Sequence, residues 1–222
     1  MNQQEKTKRT KERILATALA EFGTNSYESA SINAICSKSQ ISKGLIYHNF
    51  QSKDDLYLQC VRICYDQMLE YLKTHMIELL EVPDRLRSLF LLRQTFFSEH
   101  PYYANIFFHS ILWPPAHLLD EIQAIRTDFN QFYMGYYRAM LPHLPLREGI
   151  TEDTALEYFS IFAESFNGYF QNKAAGNHDY HTLVEDHEDK LSGMLDILLY
   201  GIAAPENRTD TIPQKETIGG NH

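Results

Sequence analysis

The chain is poor in the residues that staple, break or flatten a polypeptide. It has three cysteines in 222 residues, Cys36, Cys60 and Cys64, an odd number that reads as reduced thiols rather than a disulfide framework. Ten glycines and eight prolines punctuate it sparingly. The segments between them carry apolar residues at helical spacing, and no alternating strand pattern competes, so the expected fold class is all-α. No apolar run approaches the roughly 18 residues of a membrane span. The stretch Met1 to Arg13 is charged, unlike a secretory leader, so a cytoplasmic protein without a membrane partner is expected. A glycine-rich phosphate loop, a nucleophile elbow and a zinc-hydrolase helix motif are all missing, which argues against an enzyme and against a bound cofactor.

What the chain does have is apolar mass and an uneven charge. Hydrophobic residues make up 44%, enough for a sizeable core, against 22% charged. The net charge of −9 hides a division. Up to Lys53 there are eight Lys or Arg against four Glu, and beyond it 12 basic residues face 25 acidic ones. A basic head on an acidic body suits a molecule that presents one end to phosphate.

Periodicity places a first helix at Thr7 to Phe22, with Ile14, Leu15, Ala18, Leu19 and Phe22 on one face and Lys8, Lys11, Glu12 and Glu21 largely elsewhere. Gly23 ends it. Two short helices, Ser31 to Lys38 and Ser42 to Asn49, are joined by Ser39, Gln40 and Ile41 at helix-turn-helix spacing. Ser52 followed by Asp54 and Asp55 caps a long helix to about Leu80, the natural mechanical link from head to body. Further helices are expected near 84–99, 102–112, 116–141, 152–175 and 182–200. Pro142 to Gly149 reads as a loop, and the polar end as a disordered tail. The division expected is residues 1–53, 54–204 and 205–222.

The segment from Ser31 to Leu56 reads SINAICSKSQISKGLIYHNFQSKDDL. Ser31, Ile32, Ile35, Ile41, Ser42, Gly44, Ile46, Tyr47, Phe50, Lys53 and Leu56 match, in order and spacing, the signature of the TetR family of helix-turn-helix transcriptional regulators, which this chain resembles. It departs at Ser39 and Gln40, where Ala-Gly is usual, so Gln40 must adopt whatever backbone the turn requires, and at Asn49, where an aromatic residue or His is common. The resemblance implies operator DNA as partner. It assigns Ser31, Ser42, Lys43, Gly44, Tyr47, His48 and Lys53 to DNA contact, with Lys8 and Arg9 on an arm that either reaches phosphate or the minor groove or is merely solvated. Ser42 is otherwise only a cap, and Tyr47 otherwise half core. Ile32, Ile35, Cys36, Ile41, Leu45, Ile46 and Phe50 are expected to form the small core of the head.

The body is dense in aromatic rings with a few polar groups among them, a composition that fits an apolar cavity with orienting contacts. The resemblance implies that this cavity holds a small apolar or aromatic effector. Candidate lining residues are Phe97, Phe107, His109, Trp113, Phe129, Tyr133, Phe162, Phe166 and Asn167. It further implies a homodimer through the last two long helices and repression relieved by the effector. Of the apolar stripes on two faces of the 152–175 helix, one would close the body and the other, with Leu191, Met194, Leu195 and Leu198 after it, would build the dimer surface, with Gly193 and Gly201 allowing close approach. Two alternatives stay open on the same scaffold. Cys60 and Cys64, one helical turn apart, could sense oxidants, and the group His178, Asp179, His181, Glu185 and His187 could sense a metal, although its spacing is not that of a compact site.

Overall fold

A computed structural model describes residues 3–76, 82–176 and 179–202, and among these all regular structure is helical. The head comprises α1 (Gln3–Phe22), α2 (Ile32–Ser39) and α3 (Lys43–Asn49). α4 (Lys53–His75) leaves it for the body of α5 (Val82–Glu99), α6 (Pro101–Leu112), α7 (Leu119–Met140), α8 (Glu152–Gly176) and α9 (Tyr180–Ile202). None of the described helices is long and apolar enough to cross a membrane.

Local chemistry sets the ends of these helices. Ser31, Ser42 and Ser52 each sit in extended backbone and accept a first-turn N–H, from Asn33, Leu45 and Asp55, which satisfies donors that helix geometry leaves unpaired. Pro101 occupies the start of α6, where its missing N–H is not needed. The helix expected over 116–141 is broken at both ends by 3₁₀ turns, Ala116–Leu118 and Leu141–His143. α4 ends at His75 rather than near Leu80: Met76 is extended, with ψ at 131°. Residues 77–81 and the expected tail fall outside the described residues.

The turn between α2 and α3 carries the predicted anomaly. Gln40 has φ 54° and ψ 38°, the one positive φ outside glycine among the described residues. A side chain there costs about 1–2 kcal/mol, whereas glycine's extra freedom when unfolded costs about 0.5–1 kcal/mol. Gln40→Gly is therefore expected to raise unfolding free energy by about 0.5 kcal/mol, measurable as a higher denaturant midpoint at unchanged slope.

Burial corrects two assignments in the head. Ile32, Ile35, Ile41, Ile46 and Phe50 are buried as expected and Cys36 partly so, but Leu45 is 41% exposed because it lies on the outer face of α3. Glu21, expected away from the apolar face, is 3% exposed. Its carboxylate accepts the Ser31 N–H at 3.2 Å and the Lys38 ammonium at 2.8 Å. Burial alone would raise the Glu21 carboxyl; the bonds from Lys38 and Ser31 outweigh it and hold the group below its ordinary range.

Head and body share one apolar core running from Ile14 through Leu56, Val61 and Met68 to Phe107, Phe129 and Phe170. α4 packs against α1, α5, α6 and α7, and α6 packs directly on α1. That second junction needs Gly23, since a Cβ there would lie 2.6 Å from the Tyr102 Cβ and 2.7 Å from its Cα. Beside it Asn105 donates to the Gly23 carbonyl at 2.6 Å and accepts from the Tyr180 hydroxyl at 2.8 Å, so α1, α6 and α9 are tied in series. The link between head and body is thus α4 and α6 together, not α4 alone.

Candidate nucleic-acid interface and body cavity

α3 is held by one buried side chain, Ile46, and leaves Lys43, Gly44, Leu45, Tyr47 and His48 exposed. A Cβ at Gly44 would have nothing within 4 Å, so nothing within the fold requires glycine there. Ser42 is exposed and caps α3, while Ser31 is half-buried and caps α2. Lys8 and Arg9 are exposed near the start of α1, with the Lys8 ammonium 4.0 Å from Glu12. Lys53 is more constrained. Its ammonium lies 4.5 Å from the centre of the Tyr27 ring and 3.5 Å from the Glu28 carbonyl. Sequence reasoning missed Leu45 as a surface residue and missed Arg13, which donates to the Ser39 carbonyl at 2.7 Å and braces the turn.

Within the body, α5 to α9 line a half-open cavity of about 240 Å³. Six of the nine residues expected around an effector line it: Phe107, Phe129, Tyr133, Phe162, Phe166 and Asn167. Three do not. Phe97 is packed into the core against Phe96, Phe107 and Phe108. His109 and Trp113 group instead with Tyr180, His109 stacking on it at 4.7 Å and the Trp113 indole donating to the Ala174 carbonyl. Helical spacing sets those two on a different face of α6 from Phe107 and Ile111, which do line the cavity.

The cavity also has a polar wall that the aromatic count did not reveal. Arg93 is 5% exposed, and its guanidinium meets both Glu188 oxygens at 2.5 and 2.6 Å. His187, 2% exposed, places Nδ1 3.0 Å from the same carboxylate, its ring edge-on to Phe108, Phe166 and Phe170. Burial opposes charge on Glu188, but Arg93 and His187 prevail and keep its carboxyl below the usual range. Burial pushes the Tyr133 phenol up to about 12, with the nearby Arg93 resisting the shift. Arg126 and Asn130 of α7 complete this wall. One signal could have found Arg93: it is the only charge in the stretch LFLLRQTFF, residues 89–97.

Residues 14–60 match the family model described as bacterial regulatory proteins, tetR family. Residues 14–60 thus form a TetR-type N-terminal domain. The regulator UidR of Escherichia coli K12, described as an HTH-type transcriptional regulator, is 44% identical over 55 residues, which are 25% of this chain and 28% of that relative. The likeness to curated relatives therefore spans little more than a quarter of their length. Solved structures extend the similarity of fold over most of the chain. A transcriptional regulator from Rhodococcus sp. RHA1 has a TM-score of 0.60 at 16% identity, covering 88% of this chain and 98% of its own. FadR of Bacillus subtilis, solved with stearoyl-CoA, has 0.57 at 17% identity, covering 86% and 98%. A TetR family regulator from Chloroflexus aurantiacus has 0.55 at 22% identity, covering 89% and 94%.

The alternative sensors find little support. Cys60 and Cys64 are fully buried, and burial pushes both thiols far up, away from the reactive thiolate; Cys64 also donates to the Tyr103 carbonyl. Among the described residues no three metal-ligating side chains come together. Asp179 instead bonds Thr182, and His187 bonds Glu188; His178 lies outside the described residues.

The outer faces of α8 and α9 carry Tyr158, Ile161, Tyr169, Met194 and Ile197, between 42% and 70% exposed. Leu195, expected on a dimer surface, is buried in its own chain, and Leu191 packs there too. Among the described residues of α9 the most exposed large apolar side chain is Ile197, which the sequence reading did not single out. Gly193 and Gly201 have no neighbour within 4 Å of a built Cβ, so neither mediates a helix contact inside the chain.

Proposed function

We propose that this chain is a dimeric repressor that binds near-palindromic operator DNA through α3 and releases it when a small molecule enters the body cavity. The observation that carries this reading is α3 itself, anchored by Ile46 alone and turning Lys43, Gly44, Leu45, Tyr47 and His48 outward. A rod so exposed fits a major groove. Lys43 and Tyr47 would meet phosphate or base edges, and Leu45 would offer apolar contact to a thymine methyl. Gly44 would let backbone approach the duplex where a Cβ meets nothing inside the protein. Lys53, Lys8 and Arg9 would add phosphate contacts, and the division at residue 53 would separate the reading head from the sensing body.

A two-fold dimer through the exposed faces of α8 and α9 would set two α3 rods about 34–36 Å apart, one turn of DNA. α6 offers the coupling. It lines the cavity with Phe107 and Ile111, and through Asn105 and Tyr102 it bears on Gly23 at the end of α1. A ligand that displaces α6 would move the head, and linkage requires operator DNA to weaken ligand binding by the same factor.

The test is capture of host genomic fragments by the purified protein, followed by anisotropy titration of the recovered sequence. Lys43→Ala with Tyr47→Ala is expected to weaken binding by about 1,000-fold, since four contacts, two on each half-site, are lost at about 1 kcal/mol apiece. Unchanged affinity in that double variant would remove α3 from the interface.

A further inference from the structure

Taking the cavity as the effector site, we propose that its ligand is a compact organic anion, a carboxylate on a small apolar body, whose charged end is received by Arg126 and the Tyr133 phenol. The charges of the lining leave one cation unmatched. Arg93 is consumed by Glu188. Arg126 has no carboxylate within 4.0 Å among the described residues, and Glu164, the acid in the lining, is exposed. The less exposed of the two remaining charges is therefore the half-buried Arg126 guanidinium, beside apolar rings where electrostatic attraction is stronger than in water.

Hydrogen-bonding capacity points the same way. Among the described residues six buried side-chain nitrogen or oxygen atoms have no partner, and four line this one cavity: Arg93 Nε, Arg126 Nε, Tyr133 Oη and His187 Nε2. Three of the four are groups that donate, and two of those belong to guanidiniums, which cannot accept. Buried donors without acceptors are costly and rare in folded proteins, so a ligand bringing acceptor oxygens would complete the wall. A carboxylate supplies two oxygens and the opposite charge, the geometry a guanidinium matches best. An amine would meet the like charge of the Arg93 and Arg126 guanidiniums at that wall.

Size limits the rest of the molecule. About 240 Å³ is below the range of roughly 300–1,000 Å³ usual for drug-sized ligands. Phe107, Ile111, Phe129, Phe162 and Phe166 would surround one ring or a short alkyl chain.

The experiment is calorimetric titration of the full chain with 3-phenylpropionate and hexanoate, beside their amides and the corresponding amines. The acids are expected to bind at least about tenfold more tightly than the amides, with the amines weakest. Arg126→Leu should reduce the acids to the level of the amides while leaving amide binding unchanged, and Arg126→Lys should restore part of the preference. Should Arg126→Leu fail to fold, the comparison rests on Arg126→Lys and Tyr133→Phe, each expected to lower acid affinity selectively. Amides or amines binding as well as acids, or an acid preference indifferent to Arg126, would overturn the anion assignment while keeping the cavity as a ligand site. Binding of none of the six compounds at about 10 mM, near the weak limit of useful affinity, would overturn both readings.

Discussion

Glu188→Ala is expected to lower the unfolding free energy by about 3–5 kcal/mol, because it strands the buried Arg93 guanidinium without a counter-charge. That is a large part of the roughly 5–15 kcal/mol that holds a typical domain together. The cost belongs to the residue left behind. Removing both partners, as Arg93→Met with Glu188→Leu, should cost far less, since no buried charge remains and apolar volume is kept. Denaturant titrations of the two single variants and the double, at one fixed protein concentration, measure the difference. Acid should act in the same direction. The Glu188 carboxyl is held low in the fold, so its contribution is fully present above the unfolded carboxyl range and is lost as pH falls through the lower folded value. A Glu188→Ala protein within about 1 kcal/mol of the parent would mean that Arg93 is solvated in the native state.

For the proposed dimer, Ile161→Glu combined with Ile197→Glu is expected to yield monomers and to reduce affinity for the proposed operator by about 100-fold or more. Both side chains are more than half exposed in the isolated chain, at 51% and 70%. Charges there leave the fold of a protomer intact. In a dimer packed through α8 and α9 the same charges would be buried without partners, at a cost no ordinary interface absorbs. With the pairing lost, two heads no longer engage one operator as a unit, and the gain from binding both half-sites together disappears. Sedimentation velocity reads the mass, and helix content by circular dichroism should not change. A variant that still sediments as a dimer would place the interface elsewhere.

The head was the most legible part of the chain. Its helices, its serine caps and the strained turn at Gln40 follow from features within a few residues of one another, and the structure has them where spacing puts them. The misreadings there share one cause. Leu45 was assigned inward by its apolar character, yet a seven-residue helix anchored at Ile46 has little inner face to offer. Glu21 was assigned outward by its charge, yet the Ser31 N–H and the Lys38 ammonium arrive from ten and 17 residues away. In the body, six of nine proposed lining residues reach the cavity because they sit on the inward faces of α6, α7 and α8. His109 and Trp113 share α6 with Phe107 but turn toward Tyr180.

Patterns close together along the chain determined by themselves that this protein is helical, where most helices start and stop, and that its N-terminal segment is of the TetR type. Only the tertiary structure decided that Arg93 would meet Glu188, 95 residues away, that α6 would press on Gly23, and that unpartnered donors would gather on one wall of an aromatic cavity. Caps, turns and periodicity depend on neighbours within one or two helical turns, which spacing records. The meeting of distant side chains depends on how whole helices cross and pack, and spacing along the chain carries no measure of that.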